Sequence, residues 1–143
     1  MNKVAFVAFN GTVAQKVISK INGGEKFIVS SSHKAINQLA NSGKLDGYDK
    51  IIAMGLKNGS SDSFVHVEQN CLTKDGRLLL DTSIADGDLF QKTIISKNLE
   101  NSWCNVLASQ LRTCYPNKVV AFLHIPPQLN ASKVANAISS KFQ

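Results

Sequence analysis

The chain has 143 residues, a hydrophobic fraction of 43% and a formal net charge of +6, which suits one domain over residues 1–143 with a real core and is too short for two ordinary ones. Its basic residues are scattered singly, with no basic run or basic-aromatic interleaving, so nucleic acid is not indicated as a partner. No apolar run approaches the ~20 residues of a membrane span.

The opening run Val4 to Phe9 is followed by Asn10-Gly11, where a signal peptide would carry a small-residue cleavage site; it is predicted as a β-strand of a cytoplasmic protein. Helical spacing follows at Ala14, Val17, Ile18 and Ile21, stopped by Gly23-Gly24. A strand is predicted over Lys26 to Ser30. A helix carrying Ala35, Ile36, Leu39 and Ala40 comes next, capped by Ser31 or Ser32, and then a strand over Lys50 to Met54. Phe64 to Val67 and Thr93 to Ile95 read as further strands. The irregular stretch 70–88 between them holds a hairpin turn at Lys74-Asp75-Gly76-Arg77. The last third gives a helix with Trp103, Val106, Leu107 and Leu111 on one face, ended by Tyr115-Pro116-Asn117. A strand over Val119 to Ile125 and a helix through Ala131, Val134, Ala135, Ile138 and Phe142 complete the pattern.

Strands alternating with one-sided helices predict an α/β fold, a three-layer α/β/α sandwich on a mostly parallel sheet. Ligands of such sheets bind beyond the carboxyl ends of the strands. Candidate sites are therefore Phe9 to Gly11, Gly55 to Gly59, Asn98 to Cys104, and His124.

Three cysteines, Cys71, Cys104 and Cys114, are an odd number without zinc-type spacing, which points to reduced thiols and no metal. Cys104 opens a helix that Asn101 or Ser102 can cap. The unpaired N–H groups and the dipole at that end favour a thiolate, which makes a nucleophile of a thiol otherwise titrating near pH 8.5. A buried structural cysteine is the plainer alternative. His124 breaks an apolar strand at its end, as a catalytic base or as a satisfied core histidine. Glu68, closing Phe64-Val-His-Val-Glu, is the carboxylate chosen to orient the imidazole.

The order Glu68, Cys104-Asn105 and His124-Ile-Pro126 on alternating α/β elements resembles pyroglutamyl peptidase I, the pyrrolidone carboxyl peptidases, which are cysteine peptidases. Matching motifs are the turn Gly55-Leu-Lys-Asn-Gly59 before a strand ending in Glu68, the apolar-Cys-Asn motif at Trp103-Cys104-Asn105, and Phe122-Leu-His124-Ile-Pro126. The resemblance implies removal of N-terminal pyroglutamyl residues from peptides by a Cys104-His124-Glu68 triad without a cofactor. It also implies that Phe9 feeds the substrate pocket, and self-association into oligomers. Asn10 and Gly59, after the first and third strands, join Phe9 as candidate substrate contacts. The resemblance also marks departures: the chain is shorter between the glutamate strand and the cysteine helix, Asn10-Gly-Thr-Val13 replaces a proline and an aromatic, Ser60 replaces an arginine, and Glu100 replaces a glycine close to the cysteine. These leave a second reading, a non-catalytic or respecialised relative that binds or assembles.

Overall fold

The computed structural model describes residues 3–57 and 63–142. In chain order the strands are β1 (Val4–Phe9), β2 (Glu25–Val29), β3 (Lys50–Leu56), β4 (Val65–Glu68), β5 (Asn70–Thr73), β6 (Gly76–Leu79), β7 (Phe90–Thr93) and β8 (Val119–Ile125). The helices are α1 (Val13–Ser19), α2 (His33–Asn41), α3 (Trp103–Cys114) and α4 (Ala131–Ser140). Six strands form one sheet in the order β2-β1-β3-β8-β4-β7, and β5 and β6 form a separate hairpin. Every neighbouring pair in the large sheet is parallel except β4 and β8.

The pleat of the sheet divides the core in two. Val4, Phe6, Ala8, Ile52, Met54, Val65, Val67 and Leu123 face α1 and α4, whose Val17, Ile18, Val134 and Ile138 close that layer. Ala5, Val7, Phe9, Ile51, Ala53, Val120 and Phe122 face α2 and α3, with Ile36, Leu39, Leu107 and Leu111 opposite. The continuous apolar runs of β1, β3 and β8 exist because helices cover both faces.

One element differs from the sequence expectation. The strand expected over Thr93 to Ile95 lies at Phe90–Thr93, and it includes the exposed Gln91 and Lys92. An edge strand is fixed by its backbone ladder to β4, which polar side chains do not disturb. Beyond Thr93 the chain turns away: Ile95 is buried, donating its N–H to Asn70 Oδ1 at 3.2 Å, while Ile94 projects outward. The sheet is mostly parallel as expected, and within it β4 and β7 run against the remaining four strands. Glu68 therefore does not project beyond the same sheet end as His124. It reaches the imidazole diagonally, from the pair after His66↔His124 and Val67↔Leu123. The expected hairpin is present, with Lys74-Asp75 between β5 and β6 and Gly76 at φ 128°.

Candidate active site

β8 presents alternate residues to the α3 layer, and His124 is the last of them, its ring 5.1 Å from that of Phe122. Nδ1 of His124 lies 2.9 Å from Oε1 of Glu68, with both side chains buried. A carboxylate only accepts, so the contact places the proton on Nδ1 and leaves Nε2 as the basic nitrogen. Oε1 of Glu68 accepts a second bond, 2.7 Å from Thr93 Oγ1 on the edge strand β7. Oε2 is buried without a hydrogen-bond partner among the described residues.

Cys104 is the second residue of α3. Ser102 caps this helix, its Oγ accepting the N–H of Asn105 at 3.2 Å. Asn105 is itself buried and fixes the start of α3. Its Oδ1 accepts from Leu72 N–H at 2.8 Å, and its Nδ2 donates to the carbonyls of Leu72 (3.0 Å) and Glu100 (2.8 Å). The Sγ of Cys104 lies over Gly55, whose register partner on β8 is His124. A Cβ at Gly55 would stand 2.5 Å from that sulfur, so only glycine leaves space for the thiol there.

Cys104, His124 and Glu68 open into one cavity of about 490 Å³, together with Phe9, Thr93 and Ile95. A larger opening of about 580 Å³ lies at the other end of the strands, around Lys3, Phe6, Gly24 and Tyr48, away from all three. Among the described residues no group of three or more histidine, cysteine or acidic side chains could hold a metal, and no helix is long and apolar enough to cross a membrane.

No protein-family model and no curated protein matches the chain. Solved structures do. Pyroglutamyl peptidase I from Bacillus amyloliquefaciens superposes with a TM-score of 0.74 at 15% identity, over 98% of this chain and 93% of that one. The pyrrolidone carboxyl peptidase of Thermus thermophilus gives 0.69 at 15% identity, over 95% and 96%. That of Fervidobacterium islandicum gives 0.69 at 14% identity, over 99% and 97%. The fold is that of pyroglutamyl peptidase I.

On this pyroglutamyl peptidase fold, the sequence-derived candidates Cys104, His124, Glu68 and Phe9 meet in one cavity. Asn10 does not join them. It is exposed in the turn after β1, its N–H donated to Val29 O at 2.9 Å, and Thr12 and Ser31 line the cavity instead. Gly59 lies outside the described residues, as do Asn58 and Ser60 of the same turn. Against the tendency of the α3 end to favour a thiolate, burial pushes the Cys104 thiol up to about 12, the charge of Glu68 adds to the rise, and Lys57 opposes it. The acid that disfavours the thiolate is thus Glu68, and its effect comes second to the loss of solvent. Thr93, Lys57 and Ile94 were not singled out from the sequence. A lone threonine or lysine at a strand end carries no pattern, and only the ladder between β4 and β7 reveals that Thr93 faces Glu68.

Proposed function

We propose that the protein is a cysteine peptidase that removes N-terminal pyroglutamyl residues. The observation that carries this reading is the 2.9 Å contact of His124 Nδ1 with Glu68 inside the cavity that Cys104 and Phe9 also line. In this reading Nε2 of His124 takes the thiol proton as the sulfur of Cys104 attacks the pyroglutamyl carbonyl. A rested, protonated thiol then becomes nucleophilic only as substrate arrives. The S–C bond forms, the amide C–N bond breaks, and the proton passes from His124 to the departing amine. Water, deprotonated by the same imidazole, cleaves the thioester and releases pyroglutamate. Glu68 holds the ring and balances its positive charge in between. The lactam ring is small and uncharged, which suits the buried end of the cavity at Phe9 and Ile95. The chain acting as one domain, without a cofactor, and in self-associated form belongs to the same proposal.

The test is release of a fluorescent amine from a pyroglutamyl amide under reducing conditions, by the protein and by its Cys104→Ala variant. Turnover that disappears in the variant is the expected result. Absence of turnover in both would turn the reading toward a binding or assembly role on the same fold, a role consistent with a thiol held protonated at rest.

A further inference from the structure

The cavity has two unlike ends. Phe9, Ile95, Glu68 and His124 form a closed inner end, each of them buried. The outer end is a rim of Ile94 (65% exposed), Leu99 (41%) and Trp103 (38%), three of the six large hydrophobic side chains with high exposure among the described residues. Cys104, half-buried, follows Trp103 at the start of α3 and lines the same cavity. A pyroglutamyl group ends its chain, so it enters the closed end first, and everything beyond the scissile bond must lie along the rim. Among the described residues two charged side chains line the cavity, Glu68 and Lys57. Glu68 is paired with His124 at 2.9 Å, and among the described residues no carboxylate lies within ion-pair distance of Lys57. Lys57 is half-buried at the end of β3, anchored by its own N–H to Ile125 O at 2.9 Å.

We infer that the leaving-group side of the cavity is a subsite for an apolar residue bearing a free carboxylate, with Ile94, Leu99 and Trp103 taking the side chain and Lys57 the carboxylate. The preferred substrate class is the pyroglutamyl dipeptide with an aliphatic or aromatic second residue, such as pyroglutamyl-phenylalanine. An ammonium meeting a carboxylate in a partly desolvated site forms a charge-assisted pair, whereas a carboxamide in its place gains only a neutral hydrogen bond. The exposed apolar rim contributes by the area it removes from water and penalises small or acidic second residues. A second role for Lys57, favouring the thiolate, would act on every substrate equally.

This inference rests on the proposed peptidase activity, and its test separates the two. Hydrolysis of pyroglutamyl-phenylalanine, its carboxamide, and pyroglutamyl-alanine is followed by the amine released, for the protein and for Lys57→Met. The expected result is a kcat/KM about tenfold or more higher for the acid than for its amide, and higher for phenylalanine than for alanine. In Lys57→Met the acid-amide difference collapses while hydrolysis of the carboxamide continues. Equal values for acid and amide in the unmodified protein would overturn the subsite and leave the peptidase reading intact. A uniform loss on all substrates in Lys57→Met would also overturn it and assign the lysine to the thiol. No hydrolysis of any of the three would overturn the peptidase reading itself.

Discussion

A single carboxylate oxygen, Oε1 of Glu68, accepts from both His124 and Thr93, while its companion Oε2 accepts from nothing among the described residues. The orientation of the imidazole therefore depends on one oxygen, and Thr93 fixes the torsion of that carboxylate. Glu68→Gln keeps the shape but replaces the charge that balances a protonated His124, and turnover should fall by about 10² or more. Thr93→Val keeps volume and removes one hydrogen bond. Its kcat should drop about fivefold to tenfold with KM little changed, because the lost bond acts on His124 through Glu68 and not on bound substrate. Steady-state kinetics separates the two cases; a Thr93→Val effect confined to KM would place that hydroxyl against substrate. The resting thiol gives a third expectation at this scale. With its pKa pushed up to about 12, Cys104 should react with iodoacetamide more slowly than free cysteine at pH 7.5, and faster as the pH rises. Rapid alkylation at neutral pH would show a preformed ion pair with His124.

At the scale of elements, the meeting of α3 with the ends of β3 and β8 decides whether the thiol and imidazole face each other. Gly55 permits that approach. A methyl group there would meet Sγ at 2.5 Å, Phe122 Cζ at 3.2 Å and Phe9 Cδ2 at 3.5 Å, and neither the short cysteine nor the packed Phe122 ring can yield freely. Gly55→Ala should destabilise by about 1–3 kcal/mol through overpacking and abolish turnover by displacing α3. In a Cys104→Ala background most of that destabilisation should vanish, since the closest contact is gone; urea unfolding of the four proteins of this cycle measures the coupling. Asn105 does the complementary work, binding both backbone groups of Leu72 and so tying the β5-β6 hairpin to α3. The hairpin's turn was legible in Lys74-Asp75-Gly76-Arg77, yet its attachment was not, because a buried amide that bridges two backbones looks in sequence like any helix-start asparagine.

For the whole molecule, the α/β alternation was readable because β1, β3 and β8 are uninterrupted apolar runs and each helix has one apolar stripe. Cys104 and His124 were readable because each breaks such a pattern at an element's end. The reversed direction of β4 was not, since parallel and antiparallel neighbours bury the same side chains, and with it went the diagonal approach of Glu68. The assembled fold also places thiols in dry surroundings on the α2-α3 side: Cys104 is pushed up to about 12, and Cys71, buried on the hairpin strand β5, to about 11, in both cases chiefly by burial. In the unfolded chain these thiols titrate near their ordinary value of about 8.5. Below that pH both states hold the protons and the folded state retains its full advantage. Between about 8.5 and the raised values the unfolded chain has released protons that the folded chain keeps, so stability falls as pH rises, by up to about 1.4 kcal/mol per pH unit for each thiol. Urea midpoints at pH 8, 9 and 10 should therefore decline more steeply in the unmodified protein than in Cys104→Ala, where one of these thiols is absent. The other ionisable groups are common to both proteins and cancel in the comparison. Parallel declines would mean that Cys104 titrates normally in the folded chain, and hence that its sulfur is already solvated or paired with His124 before any substrate binds.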